Sequence, residues 1–147
     1  MLKAKDTLTT DVVCVKRQTL KAKDIMTTNV VCVKRQTPTC KAAELLIAND
    51  ITGMPVVEDD MTLIGIVSEK DLLRAFYVGE DQDNSTVESF MTQPAACYHD
   101  DDSLDRIIDF MLINYFRRVP VVSKDGKVLG IISRPDVLAY VLQHEQI

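Results

Sequence analysis

The sequence predicts an α+β fold made of two tandem β-α-β-β-α repeats. The main observation is a duplication, in which two stretches of about twenty residues align without gaps at an offset of 65 positions. The matched pairs are Pro55 and Pro120, Gly65 and Gly130, Ser68 and Ser133, and Asp71 and Asp136. A second observation is that short apolar runs alternate with helical patterns and polar turns in both halves. Because a unit of about 60 residues buries little surface alone, we expect the two repeats to pack into one core.

Composition and charge exclude several classes of function. The net charge of −5 and the pI near 5.0 argue against a general nucleic-acid-binding surface, which is basic. No apolar run reaches the ~18 residues of a transmembrane helix, and the N-terminus lacks the apolar core of a secretory signal. We therefore expect a cytoplasmic protein with no nucleic-acid or membrane partner. The four cysteines (Cys14, Cys32, Cys40 and Cys97) lack C-x-x-C spacing, which predicts reduced, structural thiols and no metal site.

The N-terminal part contains a second, shorter duplication. Residues 2–19 and 20–37 differ only at positions 7/25, 8/26 and 11/29, and only the second copy is followed by the rest of a repeat. The first copy is either an artefact or an arm whose run Val12–Val15 pairs as an edge strand or is exchanged with a neighbouring subunit. We divide the chain into this duplicated segment (1–19), a first repeat (20–78), a linker (79–86) and a second repeat (87–147).

Each repeat is expected to begin with a strand and a helix. Val30–Val33 is a short, β-branched apolar run that predicts a strand. Thr37-Pro38 then predicts a helix start, with threonine as the N-cap and proline in the first turn. In the second repeat, apolar residues from Leu104 to Tyr115 follow the i, i+3, i+4 pattern of an amphipathic helix. Asp102 or Ser103 is expected to cap that helix.

A hairpin and a closing helix complete each repeat. The four predicted strands are Met54–Val57, Leu63–Val67, Val119–Val122 and Val128–Ile132. Asp125-Gly126 is typical of a tight hairpin turn. Ser68 and Ser133 are expected to begin the closing helices, each with an aspartate three residues later. That S-x-x-D spacing is close to a capping box, in which the side chains of both residues bond backbone N–H groups at the start of the helix.

This order of elements, with the motifs G-M-P-V-V…I-G-I-V-S-E-K-D-L and R-V-P-V-V…L-G-I-I-S-R-P-D-V, resembles tandem CBS domains, named after cystathionine β-synthase. The resemblance covers about residues 20–141 and includes the two Met-Thr pairs at 26–27 and 91–92. It implies a disc-like pair of repeats packed about a pseudo-two-fold axis and often dimerised. It also implies adenosine-containing ligands in clefts between the repeats and the regulation of another protein.

The resemblance assigns the ribose end of each site to the start of a closing helix. The family's aspartate bonds both ribose hydroxyls and the serine lies beside the phosphates, which matches Asp71 with Ser68 and Asp136 with Ser133. A carboxylate can accept hydrogen bonds from two hydroxyl groups, and a helix N-terminus favours an anionic phosphate. The alternative is that each S-x-x-D motif serves only as a capping box.

The resemblance also implies phosphate-binding basic residues just before the strand at Val119. Arg117 and Arg118 stand there, and a guanidinium can bind two phosphate oxygens at once. Lys70 is a candidate accessory phosphate contact. The alternative is that the arginines are solvated or pair with the acidic run Asp100–Asp102.

The first repeat carries Thr52-Gly53 where the second carries the two arginines. By the family's cross-repeat arrangement, the arginines serve the Asp71 cleft, which is expected to be the principal site. The cleft at Asp136 would use Thr52, Gly53 and the leading strand near Thr28–Val31, with less positive charge. The candidate adenine contacts of the two clefts are Thr28, Val30, Val31, Pro94, Ala95 and Ala96.

No catalytic residues are predicted, since no nucleophile and base stand out and no glycine-rich phosphate loop is present. We expect a regulatory module that needs no cofactor and binds AMP, ADP or ATP, with S-adenosylmethionine and NADH as further candidates, and that signals to an unidentified regulated protein. We also expect a homodimer, formed through the apolar residues Leu45, Ile47, Phe110, Leu112, Leu138 and Val141. The alternative function is a dimeric protein-interaction module without bound nucleotide.

Overall fold

The computed structural model describes residues 20–78 and 85–144. In chain order its elements are helix α1 (Ala22–Ile25), helix α2 (Thr39–Ala48), strands β1 (Gly53–Val57) and β2 (Leu63–Ser68), helix α3 (Glu69–Tyr77), strand β3 (Tyr98–His99), helix α4 (Leu104–Asn114), strands β4 (Arg118–Val122) and β5 (Val128–Ser133), and helix α5 (Arg134–His144). A single 3₁₀ turn, Val87–Ser89, precedes β3. The Val12–Val15 segment lies outside the described residues.

The strands form two small sheets that repeat one hairpin. Strands β1 and β2 pair antiparallel, and so do β4 and β5, to which β3 adds a parallel edge strand. The registers correspond at the sequence offset, because Gly53 faces Ser68 in the first hairpin and Arg118 faces Ser133 in the second. The mixed helix and strand fold with two tandem repeats confirms the predicted fold class.

Two local predictions near the start of the first repeat were wrong. The predicted strand Val30–Val33 is reduced to a single parallel bridge between Val33 and Val56, and the other three residues are partly buried against the core without joining a ladder. Helix α2 begins at Thr39 with Pro38 as its N-cap, one residue later than expected. The hydroxyl of Thr37 instead accepts the backbone N–H of Lys34 at 3.0 Å, because it closes the turn that precedes the helix.

The leading segment of each repeat crosses to the hairpin of the other repeat. Thr27 exchanges two backbone hydrogen bonds with Ile131 in β5, both at 2.9 Å. At the same offset, Thr92 exchanges bonds of 2.8 and 3.0 Å with Ile66 in β2. Each repeat therefore adds a backbone bridge to the hairpin of its neighbour, as expected if the two repeats pack together.

Two glycines permit this crossing. A Cβ atom on Gly65 would lie 2.7 Å from the carbonyl oxygen of Thr92, and one on Gly130 would lie 2.7 Å from the sulfur of Met26. Both distances are shorter than van der Waals contact, so a side chain at either position would push the leading segment away from the hairpin.

Three groups of buried side chains form the core. One lies in the first repeat, around Leu46, Met54 and Leu72, and a second lies in the other repeat, around Ile107 and Ile132. The third joins the two hairpins through Val57, Val122 and Val128. Across residues 20–78 and 85–144, no helix is both long and apolar enough to cross a membrane.

Candidate functional site

A cavity of about 530 Å³ lies between the two repeats. Its first-repeat side is the end of β2 and the start of α3, from Ser68 to Asp71, and its second-repeat side is the connection from α4 to β4. Eight of the predicted site residues line it: Ser68, Lys70, Asp71, Pro94, Ala95, Ala96, Arg117 and Arg118. The cavity thus brings together candidate residues that are up to fifty positions apart in the chain.

Asp71 is held at the N-terminus of α3 by a capping box. Its Oδ2 accepts the backbone N–H of Ser68 at 2.9 Å, and the Ser68 hydroxyl accepts the backbone N–H of Asp71 at 3.2 Å. Asp71 is 7% exposed. Its second oxygen, Oδ1, has only a long contact of 3.5 Å with the guanidinium of Arg74. Capping therefore uses one carboxylate oxygen, and the other retains capacity to accept hydrogen bonds from a ligand.

Ser133 and Asp136 form the same capping box at the start of α5. The corresponding bonds are 3.0 Å and 3.2 Å long. Neither residue is among those that line the 530 Å³ cavity. The capping motif is therefore the same in both repeats, but only that of the first repeat lines this cavity.

Three cationic side chains, Lys70, Arg117 and Arg118, line the same cavity. Among the described residues, none of the three has a carboxylate oxygen within 4.0 Å. The alternative pairing with the acidic run is not observed, since Asp101 pairs with Lys23 at 3.0 Å. These cations therefore supply positive charge that no acidic group in the described part of the chain neutralises by direct contact.

Arg118 is the most constrained of the three cations. Its Nε is buried and has no hydrogen-bond partner. Burial lowers the pKa of the Arg118 guanidinium, and the negative charge of Asp136 opposes that change. A buried N–H without a hydrogen-bond partner is unfavourable, and an anionic ligand could supply an acceptor for it.

The remaining wall of the cavity is largely apolar. Pro94–Ala96 and Ile66 line one part, and Val119 and Pro120 line another. The structure does not place Thr28, Val30 or Val31 in this cavity. Val30 and Val31 pack against core clusters, and Thr28 is exposed.

Thr52 and Gly53 line the Asp71 cavity, whereas the sequence had assigned them to the cleft of Asp136. Gly53 pairs directly with Ser68, so it lies at the edge of the first hairpin where α3 begins. The end of α4 was not predicted to contribute to the site. Phe110, Asn114, Tyr115 and Phe116 all line the cavity, and the rings of Phe110 and Phe116 stack with centroids 5.2 Å apart. Their proximity to Arg117 in the sequence was a usable signal.

The geometry suits a ligand with three kinds of surface. A buried carboxylate can accept hydroxyl donors, three cations can bind an anionic group, and the apolar wall can cover a flat, uncharged group. In the described part of the chain, no group of three or more His, Cys, Asp or Glu is placed to hold a metal ion.

Comparisons with known proteins find related sequences and structures. The chain is 32% identical over 129 residues to "CBS domain-containing protein CBSX2, chloroplastic" from Arabidopsis thaliana, which covers 69% of this chain and 54% of the relative. The chain thus spans about half the length of that curated relative. The crystal structure of CBSX2 in complex with AMP matches with a TM-score of 0.76 and 35% identity, over 84% of this chain and 96% of the other.

A second structure matches with lower identity. It is the CBS domain pair of protein MJ0100 in complex with 5′-methylthioadenosine and S-adenosyl-L-methionine, with a TM-score of 0.73 and 26% identity, over 84% of this chain and 97% of the other. The family model of the CBS domain matches residues 22–78 and again residues 87–143. The resemblance noted in the sequence is therefore confirmed, and the chain belongs to the CBS domain family, with two tandem repeats of that domain.

Proposed function

We propose that this protein is a regulatory module that binds an adenosine-containing ligand in the cavity between its CBS repeats. The observation that carries the proposal is the meeting of Asp71 from one repeat with Arg117 and Arg118 from the other at a single cavity. A hydroxyl acceptor lines this cavity together with cations that have no carboxylate oxygen within 4.0 Å among the described residues, and these match the two polar parts of a nucleotide. The AMP complex of CBSX2, which has a similar fold, supports the same ligand class.

Each lining residue then has a role. Asp71 accepts the ribose hydroxyls through the oxygen that capping leaves free. Ser68 lies beside the phosphates at the N-terminus of α3, where the helix dipole favours negative charge. Arg117 and Arg118 bind the phosphate oxygens with Lys70 as an accessory contact, and the apolar run Pro94–Ala96 covers the adenine.

We propose AMP, ADP or ATP as the ligand, because the three unpaired cations favour a molecule that carries phosphate. S-adenosylmethionine is a weaker candidate despite its presence in the MJ0100 complex, since its sulfonium adds positive charge to a cationic cavity. NADH remains a third candidate through its adenosine diphosphate half. The ligand acts as a regulator, and we propose neither a required cofactor nor a catalytic activity.

The second cleft, at Ser133 and Asp136, is proposed as a weaker site that uses Thr28, Val30 and Val31. The capping box leaves Asp136 with one oxygen free, as in the first repeat. The cleft lacks a second arginine pair, because Thr52-Gly53 stands at the corresponding position. One principal ligand per chain is therefore expected.

We also propose a homodimer that signals to a regulated protein. Ile47, Leu112 and Leu138 are 82%, 66% and 62% exposed on helices α2, α4 and α5, which is unusual for large apolar side chains. Leu45 and Phe110 contribute less than expected, because both pack partly against the core of their own chain. The same exposed residues would serve the alternative function, a dimeric interaction module without nucleotide.

Isothermal titration calorimetry with AMP, ADP, ATP, S-adenosylmethionine and NADH tests the proposal. We expect at least one nucleotide to bind with a stoichiometry near one, and to raise the melting temperature of the protein. A ligand at 100 times its Kd adds about 2.7 kcal/mol to the free energy of unfolding. If no member of the panel binds, the interaction module becomes the better interpretation.

Two further measurements complete the description. Mass spectrometry of small molecules that co-purify with the protein would identify the ligand bound in cells. Cell fractionation would test the proposed cytoplasmic location, since the Arabidopsis relative is named as chloroplastic.

A further inference from the structure

The connection between α4 and β4 is held by one residue of α5, Arg134. Its backbone N–H donates to the carbonyl oxygen of Arg117 at 3.0 Å. Its guanidinium Nε donates to the carbonyl oxygen of Phe116 at 2.9 Å. Phe116 and Arg117 line the cavity, and Arg134 is not among its lining residues. Arg134 therefore holds two consecutive carbonyl groups of the cavity wall without lining the cavity itself.

The first repeat has only half of this arrangement. Glu69 occupies the corresponding position, and its backbone N–H donates to the carbonyl oxygen of Thr52 at 2.9 Å. Its carboxylate can accept hydrogen bonds but cannot donate one to a carbonyl oxygen when ionised. Thus the second repeat, which carries Arg117 and Arg118, is also the repeat in which a side chain holds the connection between helix and strand.

The held segment contains an unfavourable backbone conformation. Tyr115 has φ 58°, in the left-handed region, and its counterpart in the first repeat is Asp50 with φ 53°. Aspartate adopts this region more readily than an aromatic residue does. A tyrosine persists there when surrounding contacts determine the backbone, and the two bonds from Arg134 are such contacts on the following residues.

We propose that Arg134 is a positioning residue for the anion-binding side of the cavity. It holds the segment from Tyr115 to Arg118 so that Arg117 and Arg118 present their guanidinium groups to the ligand phosphate, and it makes no ligand contact itself. This inference rests on the proposed function. Because hydrogen bonds from arginine to phosphate depend on direction, a displaced backbone weakens phosphate binding while leaving contacts to the ribose and base unchanged.

Three variants isolate the side-chain hydrogen bond. Arg134→Met keeps the length of the side chain but removes the donor. Arg134→Gln places an uncharged amide N–H at the position of the arginine Nε, so that it can still donate to Phe116. Arg106→Met is the matched control, because that arginine lies on α4 with 70% of its side chain exposed and is 4.0 Å from Asp102.

The variants are titrated with AMP and with adenosine, which lacks phosphate. For Arg134→Met we expect about tenfold weaker AMP binding, the value of one hydrogen bond of ~1.4 kcal/mol, and adenosine affinity within about twofold of wild type. Arg134→Gln is expected to restore most of the AMP affinity, and Arg106→Met to behave as wild type. In the ligand-free protein, hydrogen exchange at the amides of residues 115–118 is expected to be faster in Arg134→Met.

Distinct results overturn the inference and the proposed function. Wild-type AMP affinity in Arg134→Met overturns the inference alone, and so does an equal loss for AMP and adenosine, which indicates a general structural role. Unchanged hydrogen exchange at 115–118 overturns it without reference to any ligand. A wild-type protein that binds none of AMP, ADP, ATP, S-adenosylmethionine, NADH and adenosine overturns the proposed function, and the inference with it. Arg134→Ala serves as a second variant with the same expectations if Arg134→Met does not fold.

Discussion

Alanine substitutions at Asp71 and Asp136 separate ligand binding from helix capping. Each aspartate accepts the backbone N–H of the serine three residues earlier, at 2.9 Å in one repeat and 3.0 Å in the other. Only Asp71 lines the cavity between the repeats. Asp136→Ala is therefore a control that loses the same capping interaction without removing a side chain from the cavity wall.

The expected magnitudes differ between stability and affinity. Loss of the capping carboxylate is expected to lower the free energy of unfolding by about 1 kcal/mol in each variant. Asp71→Ala also removes the acceptor of two ribose hydroxyls, and bonds to a charged acceptor contribute at least ~1.5 kcal/mol each. Their sum of about 3 kcal/mol corresponds to roughly 100-fold weaker AMP binding. For Asp136→Ala we expect affinity within about threefold of wild type.

Urea denaturation of the ligand-free proteins and calorimetry with AMP measure the two quantities separately. Asp71→Asn adds a further comparison, because the amide oxygen can still cap the helix although the charge is lost. Equal losses of AMP affinity in Asp71→Ala and Asp136→Ala would refute the assignment of the principal site. If Asp71→Ala lost much more stability than Asp136→Ala, the capping boxes of the two repeats would not be equivalent.

Three further predictions concern packing, assembly and thiol chemistry. Gly130→Ala places a methyl group 2.9 Å from the carbonyl oxygen of Thr27, so we expect a loss of about 1–3 kcal/mol and a lower urea midpoint; an unchanged midpoint would contradict the close crossing. Leu112→Glu puts a charge on a side chain that is 66% exposed, so we expect light scattering to show a monomer for the variant and the proposed dimer for the wild type; a monomeric wild type would refute the dimer. Burial raises the pKa of the Cys32 thiol, so iodoacetamide at pH 8 is expected to modify it more slowly than exposed Cys40, and equal rates would contradict the burial.

The hairpins and closing helices could be predicted because their signals are local. Asp125-Gly126 specifies a tight turn, and Gly126 adopts φ 82° as such a turn allows. The spacing of Ser68 and Asp71 specifies a helix start, and the capping bonds form as expected. The leading strand could not be predicted, because its pairing depends on where each repeat crosses the other. The apolar run Val30–Val33 predicts contact with the core, and such contact is possible with or without pairing to a neighbouring strand.

The candidate site shows the same division. Residue types indicated a carboxylate acceptor and a pair of arginines, but their meeting at one cavity depends on how the two hairpins face each other. Thr52 and Gly53 also line the Asp71 cavity, which was not predicted because the register of the first hairpin, with Gly53 opposite Ser68, was not considered. The cross-repeat assignment of Arg117 to Asp71 came from the family resemblance, since no local pattern in the sequence contains it.

Arg118 connects the two clefts and explains why the aspartates are expected to differ in effect. It faces Ser133 across the second hairpin and lines the cavity of Asp71. Burial lowers the pKa of its guanidinium, and the negative charge of Asp136 offsets part of that change. Asp136 therefore acts on the principal cavity through charge, since no contact within 4.0 Å joins it to the guanidinium. Removing that charge leaves the positive charge of Arg118 less compensated, which favours a phosphate rather than opposing it. A small gain in AMP affinity for Asp136→Ala thus agrees with this arrangement, whereas a large loss does not.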